Sequence, residues 1–225
     1  WPMLYYYRGA ALKKLGEEEK AAEMFRLADK ADPSYCFPNR LEDINVLKMA
    51  VEDQPECPKA YYYLGNIWYD KRQYKEAKEN WEMAAKLDPQ YPTVFRNLAL
   101  VYYNKSNEPE KAREVLEKAF GLDTSDARVF LELDQLYKKL GMSTEDRIAF
   151  YEKYADTFVK RDDVFIEYIT MKNFVGEHEK AYELLMGRKF HPWEGGEGKA
   201  TTQYTTALVG MAKRALAEKN YEEAE

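Results

Sequence analysis

Apolar residues recur at helical spacing in residues 61–89. Two apolar runs occur there, separated by a short polar stretch and ended by Asp88 and Pro89. The first run is Tyr61, Leu64, Gly65 and Trp68, and the second is Tyr74, Ala77, Trp81, Ala84 and Leu87. Because residues three and four apart share one face of an α-helix, this pattern predicts two amphipathic helices joined by a turn.

The same register returns along the rest of the chain. An upstream copy consists of Gly9, Leu12, Gly16, Ala21, Phe25, Ala28, Asp32 and Pro33. A downstream copy, with one extra residue in its turn, consists of Leu98, Ala99, Tyr102, Ala112, Leu116, Ala119, Leu122 and Asp123. Weaker copies occupy residues 131–141, 165–185 and 208–224. The chain is therefore predicted to be an array of helix pairs.

Small residues recur in phase where the two helices of a pair must approach closely. They are Gly9, Gly65 and Ala99 on first helices, and Ala21, Ala77 and Ala112 on second helices. The large rings of Phe25 and Trp81 are expected to fill the space between neighbouring pairs. This pattern resembles the tetratricopeptide repeat family, whose unit is about 34 residues long. The resemblance covers nearly the whole chain, although residues 34–57 and 142–160 fit poorly.

The resemblance implies an all-α fold, a TPR-like α-solenoid of antiparallel helix pairs with about six repeats and one lone inserted helix. We expect a single domain over residues 1–225. The inserted helix is predicted because only 22 residues separate Pro33 from Pro55, too few for a helix pair. Asn39 and Glu42 stand at the spacing of a capping box at its start.

Asp134 interrupts the pattern of small residues at a predicted close contact. If the following turn carries one extra residue, Arg147 takes the facing position that Ala holds elsewhere. An unpaired carboxylate inside the stack would be costly, so we predict an Asp134–Arg147 pair that is at least partly buried and structural.

Composition and charge narrow the possible functions. The net charge is −6 and the sequence contains no basic stripe, so nucleic acid is not an expected partner. No apolar run approaches the roughly 20 residues that span a bilayer, so membrane insertion is not expected. The repeat pattern begins and ends within repeats. We therefore expect a piece of a longer protein, with apolar faces at residues 1–7 and 208–217 that favour self-association.

Motifs for catalysis or cofactors are scarce. Cys36 and Cys57 are interpreted as packed thiols, with a single disulfide as the alternative. His178 is interpreted as a packed turn residue. The stretch "FHPWEGGEGK" at 190–199 is not a phosphate-binding loop, because Trp193 stands where such a loop needs glycine and Ala200 where it needs serine or threonine. We predict no enzyme activity, no metal and no cofactor.

The surface lined by first helices is the expected binding groove. The register places on it Tyr6, Tyr62, Asn66, Tyr69, Arg96, Asn97, Leu100, Tyr103, Arg128, Leu131 and Lys138. Chaperone-binding members of the family clamp a carboxylate with lysine, asparagine and arginine side chains. The matching positions here are Tyr62 with Asn66, then Asn97, then Arg128 with Glu132. Two basic positions are lost, so this clamp is not expected.

The 190–199 loop carries two aromatic residues that a simple turn does not need. Long irregular loops on a rigid scaffold are often functional. We hypothesise that His191, Trp193, Glu194 and Glu197 dock on a partner domain; the alternative is a spacer between repeats.

These patterns favour a protein-protein or interdomain interaction scaffold that binds a protein, a peptide or another domain of its own chain. An alternative follows from a second resemblance. The lone helix and the "HPWEGGEG" loop resemble the C-terminal repeat region of bacterial proteins that have an N-terminal domain of unknown function. That resemblance implies an accessory repeat region of a carbohydrate-active bacterial enzyme, whose 190–199 loop completes or docks on a site in the missing N-terminal domain.

Overall fold

The protein consists of α-helices that fall into two compact units. The computed structural model describes residues 1–193 and 195–221, and no β-strand occurs among them. Unit 1 is Trp1–Asp123 and unit 2 is Thr124–Glu225. Unit 1 contains α1 (Pro2–Lys14), α2 (Glu18–Lys30), α3 (Leu41–Asp53), α4 (Pro58–Asp70), α5 (Tyr74–Leu87), α6 (Pro92–Asn104) and α7 (Pro109–Leu122). Unit 2 contains α8 (Ala127–Lys139), α9 (Thr144–Lys153), α10 (Ala155–Phe158), α11 (Asp162–Phe174), α12 (His178–Met186) and α13 (Lys199–Ala217).

Consecutive helices form the antiparallel pairs that the register predicts. In the α4/α5 pair, the ring of Tyr69 near the end of α4 lies 5.3 Å from that of Tyr74 at the start of α5. Further along, the indole nitrogen of Trp81 donates to the carbonyl of Tyr62 at 3.3 Å. The predicted helix-pair fold is confirmed.

Local sequence sets the helix ends and turns. Proline occupies the first turn of α1, α4, α6 and α7, where its missing N–H costs nothing. The tight turn inside a pair needs one residue in the left-handed region, and Gly16, Gly141 and Gly176 provide it with φ near 80°.

The phased glycines mark close contacts, as predicted. A Cβ atom added to Gly9 would lie 2.5 Å from the Phe25 ring, and one added to Gly65 would lie 2.3 Å from the Trp81 ring. Each ring packs on the glycine of its own pair, because the missing side chain leaves room there. The expectation that these rings also fill the space between neighbouring pairs stays a prediction.

The lone helix α3 is confirmed, but its predicted capping residues are shifted by one. The side chain of Asp43, and not Glu42, accepts hydrogen bonds from the backbone N–H groups of Asn39 (3.0 Å) and Arg40 (2.9 Å). The helix starts at Leu41, so Asp43 is its third residue, where a carboxylate reaches back to the free N–H groups.

The Asp134–Arg147 pair is confirmed. Both side chains are buried, and two hydrogen bonds of 2.8 Å join the guanidinium to the carboxylate. These larger side chains occupy positions that hold small residues in other pairs, and the backbones of α8 and α9 approach each other at fewer places than those of α4 and α5. The second half of this repeat is also broken, since α9 ends at Lys153 and α10 follows after Tyr154. Both features explain why residues 142–160 fit the repeat poorly.

The remaining packing predictions concern single residues. Cys36 and Cys57 are buried free thiols. Burial and the nearby Asp29 carboxylate raise the pKa of Cys57 to about 11, so this thiol is protonated at neutral pH. His178 packs as predicted: a Cβ added to Gly210 would lie 2.2 Å from its ring, and its Nδ1 lies 3.1 Å from Asn173 Oδ1.

The apolar faces expected at the two ends are partly exposed. Trp1 and Leu4 are mostly exposed on α1, and Val209 and Leu216 are about half exposed on α13. Self-association through them stays a prediction. The end of the last predicted copy, at Ala224, lies outside the described residues.

Candidate functional site

Unit 1 contains a cavity of about 480 Å³ between the first helices α4 and α6, which we call the α4–α6 cavity. Its wall also includes Trp81 of α5 and the segment that leads into α3. The lining residues are Phe37, Pro38, Asn39, Tyr62, Asn66, Tyr69, Asp70, Trp81, Thr93, Arg96, Asn97 and Leu100. This volume lies within the range of about 300–1,000 Å³ that is typical of ligand sites.

Two asparagines form the polar centre of the cavity. The side-chain oxygen of Asn66 accepts from the Trp81 indole at 3.0 Å and from the side-chain amide of Asn97 at 3.1 Å. Because an indole only donates, this contact orients the Asn66 amide. The Asn66 nitrogen and the Asn97 oxygen form no side-chain hydrogen bond within the described residues. A donor and an acceptor are therefore free side by side.

Aromatic rings form the apolar part of the cavity. The ring of Tyr69 lies 5.4 Å from that of Trp81, and the ring of Tyr62 lies 5.0 Å from that of Tyr91. Burial and a hydrogen bond to Tyr62 raise the pKa of Tyr91, so it remains a neutral phenol. At the rim, 73% of Phe37 is exposed to solvent. The cavity thus combines ordered aromatic surface with an exposed apolar edge.

The predicted groove residues fall into three groups. Tyr62, Asn66, Tyr69, Arg96 and Asn97 line the α4–α6 cavity together with Leu100. Tyr103 lies on α6 but not in this lining. In unit 2, Arg128 is exposed and its Nε lies 3.4 Å from Glu132, while Leu131 and Lys138 line a second cavity.

The placement of Tyr6 on the groove surface was wrong. Its side chain is fully buried, and its ring packs 6.5 Å from Phe25 and 6.0 Å from Tyr63. A residue enclosed between two core rings is not available to a ligand.

The sequence pattern did not predict that residues 37–39 and Trp81 line the cavity. The segment before α3 is irregular, so no periodicity indicates which of its residues face the cavity. The only sequence signal was the unusually short span between Pro33 and Pro55, which places this segment beside a lone helix.

The 190–199 loop is anchored within unit 2. The Asp162 carboxylate accepts from the backbone N–H of His191 at 2.8 Å and from the Arg188 guanidinium at 2.6 Å. Burial alone would raise the pKa of Asp162, but hydrogen bonds from His191 and Arg188 outweigh it and hold this pKa below its usual range. A Cβ added to Gly196 would lie 2.2 Å from the Trp193 ring, so the ring packs on bare backbone.

The loop residues predicted to dock differ in exposure. His191 and Glu197 are exposed, Trp193 is half-buried, and Glu194 lies outside the described residues. Docking of this loop on a partner domain stays a prediction. Within the described residues, no cluster of His, Cys, Asp or Glu could hold a metal ion, and no helix could span a membrane.

Comparison with known proteins gives matches to repeat proteins. Residues 65–106 match the family described as "TPR repeat". A stretch of 100 residues is 33% identical to Tetratricopeptide repeat protein 37 of Xenopus laevis, covering 42% of this chain. The match spans only 6% of the length of that relative.

The solved structure of YrrB shows the same fold. YrrB, described as a TPR protein with an unusual peptide-binding site, superposes with a TM-score of 0.51 at 21% identity, covering 93% of this chain and 90% of that one. PilF of Pseudomonas aeruginosa gives a TM-score of 0.48 at 19% identity, covering 99% and 95% of the two chains. The in-phase helix pairs, the repeat matched at residues 65–106 and the fold shared with YrrB agree: the chain contains tetratricopeptide repeats and has the fold of tetratricopeptide repeat proteins.

Proposed function

We propose that the protein is an interaction scaffold whose α4–α6 cavity binds an extended peptide segment of a partner. The observation that carries this proposal is the free donor on Asn66 beside the free acceptor on Asn97. A peptide unit offers one C=O and one N–H, so the two asparagine amides match its hydrogen-bonding groups. Backbone recognition of this kind gives affinity without demanding one particular sequence.

The aromatic wall supports a preference for an apolar side chain. Tyr69 and Leu100 line the cavity, each three residues after an asparagine on its own helix, and Phe37 extends the apolar surface at the rim. Tyrosine and tryptophan supply large contact area with little loss of side-chain freedom. We therefore propose a peptide that places one apolar or aromatic side chain between these residues.

The experiment selects binding peptides from a random library with the whole 225-residue chain, then measures their affinity for two cavity variants. Asn97→Ala removes the acceptor, and we expect about tenfold weaker binding, which corresponds to about 1.4 kcal/mol. Leu100→Arg places a charged side chain in the cavity and should abolish binding.

The matched control is Asn80→Ala. Asn80 lies on α5 outside the cavity, and its amide donates only to the backbone of its own helix. The Asn80→Ala variant should bind the selected peptides as tightly as the unaltered protein does. Peptides that bind Asn97→Ala and Leu100→Arg as tightly as Asn80→Ala would disprove this site.

The accessory role beside a carbohydrate-active enzyme, set out above as the alternative, stays a prediction.

A further inference from the structure

Two departures from the repeat pattern meet at one place in unit 2. Asp134 occupies a position that holds glycine or alanine in other pairs, and the 190–199 loop replaces a short turn. Both Asp134 and Trp193 of that loop line a cavity of about 310 Å³ between α8 and α11. We call it the Trp193 cavity.

The floor of this cavity is a buried hydrogen-bond network. Arg147 binds Asp134 through two bonds of 2.8 Å and Glu167 through one of 2.9 Å. Tyr151 also donates to Asp134 at 2.9 Å, and Lys138 donates to Glu167 at 2.8 Å. A buried ion pair is often no more stabilising than apolar residues of the same size. The need for stability therefore does not explain why Asp134 and Arg147 replace small residues here. Local departures from a repeat pattern are expected at functional sites.

One wall of the cavity is the Trp193 ring, which is held in place. The ring packs on Gly196, where any Cβ atom would collide with it, and the loop is tied to Asp162 through His191. An ordered aromatic face beside polar groups provides a flat apolar surface for a ligand.

The charges around the cavity disfavour an ionic ligand. Its three carboxylates are already paired: Asp134 with Arg147, Glu167 with Lys138, and Asp163 with Arg161 at 2.7 Å. A cation would find no uncompensated carboxylate, and an anion would find one unpaired cation, the exposed Lys199, among three carboxylates. The network therefore favours a neutral ligand.

Two further side chains are available to a neutral ligand. Gln135 and Lys199 line the cavity, are exposed, and form no side-chain hydrogen bond or ion pair within the described residues. The cavity thus presents donors on Gln135 and Lys199, acceptors on Glu167 and Asp163, and an aromatic face.

We propose that the Trp193 cavity binds a small neutral polyhydroxylated ligand, of the monosaccharide or polyol class. A hydroxyl group both donates and accepts, so a ligand with several hydroxyls satisfies the mixed donors and acceptors. The C–H face of such a ring packs against the indole. The volume, at the lower end of the range for ligand sites, matches a single ring.

The experiment titrates the whole 225-residue chain with D-glucose, D-galactose, D-mannose, L-arabinose and mannitol, and detects binding by saturation-transfer NMR and calorimetry. We expect saturable binding of at least one probe. Trp193→Ala should weaken it at least tenfold, and Gln135→Ala should weaken it severalfold. Asn80→Ala and Gln90→Ala, both in unit 1, are the controls and should bind the probes as the unaltered protein does.

Melting curves check that each variant folds. If Trp193→Ala unfolds, Gln135→Ala decides, because this exposed side chain has no hydrogen bond to lose. The proposal is overturned if none of the five probes binds, or if a probe binds both unit 2 variants as it binds the controls. Binding of acetate or citrate with no binding of the neutral probes would also overturn it.

Discussion

At the scale of single residues, the glycines of the helix pairs allow the sharpest test of the packing. A methyl group on Gly65 would lie 2.3 Å from the Trp81 ring, so that ring must move. We expect Gly65→Ala to lower the free energy of unfolding by about 1–3 kcal/mol. The matched control is Gly121→Ala on α7, where a Cβ would meet nothing within 4 Å. It should raise stability by about 0.5–1 kcal/mol, since alanine is the better helix former. Urea denaturation measures both changes, and an equal change in the free energy of unfolding for Gly65→Ala and Gly121→Ala would contradict this account of the pairs.

Two buried tyrosines test hydrogen bonding at the same scale. The Tyr6 hydroxyl has no partner within the described residues, whereas the Tyr151 hydroxyl donates to Asp134. Burial and the Asp134 carboxylate raise the pKa of Tyr151, which keeps this donor protonated. Tyr6→Phe should leave stability unchanged or raise it by about 1 kcal/mol, because it removes an unsatisfied group. Tyr151→Phe should lower stability by about 1.5–3 kcal/mol. Thermal melting compares the two, and a larger loss in Tyr6→Phe would disprove this distinction.

At the scale of helices, the sequence predicts those features that depend on the regular spacing of apolar and small residues. The helix pairs, the lone helix α3 and the facing of Asp134 by Arg147 all follow from spacing, because apolar burial repeats every turn of a helix. Six of the eleven predicted groove residues line one cavity for the same reason: they share one side of α4 and α6.

Irregular segments could not be placed in this way. The contribution of Phe37 depends on how the chain enters α3, and the anchoring of His191 by Asp162 joins residues 29 positions apart. Contacts of this kind arise from tertiary packing and leave no local pattern. The buried position of Tyr6 was missed because register alone does not show which helix covers it.

The Asp134–Arg147 pair joins two helices and is tested as a pair. Arg147→Ala leaves the buried Asp134 carboxylate with Tyr151 as its one side-chain partner within the described residues, and we expect a loss of about 3–5 kcal/mol. Adding Asp134→Ala restores the small residues that other pairs have at these positions, so the double variant should be more stable than Arg147→Ala alone. A double-mutant cycle by urea denaturation measures the difference. A double variant less stable than Arg147→Ala would contradict the structural role of this pair.

At the scale of the whole molecule, charge decides how stability depends on pH. Burial raises the pKa values of Asp162, Asp163 and Glu167, but hydrogen bonds from backbone N–H groups and from lysine and arginine side chains outweigh it and lower all three. A carboxyl group whose folded pKa is lowered stabilises the fold above its unfolded pKa of about 4. That stability is lost as the pH falls through the folded pKa. The pKa of Asp29 in unit 1 shifts in the opposite direction. Burial is the largest influence on it and raises this pKa, despite a hydrogen bond from the Lys59 backbone N–H.

We therefore predict that acid lowers the stability of the chain, and that two variants change this dependence in opposite directions. In urea denaturation, the free energy of unfolding should fall between pH 7 and pH 3.5. Glu167→Gln removes a group with a lowered pKa, so the fall between these pH values should be smaller. Asp29→Asn removes a group that gains stability on protonation, so the fall should be larger, while the Asn oxygen can still accept from the Lys59 N–H. For each variant, the free energy of unfolding at pH 3.5 is compared with that at pH 7. A substitution that lowers stability equally at both pH values therefore does not affect the comparison. A fall that is steeper in Glu167→Gln than in Asp29→Asn would show that these carboxylates do not control the acid response.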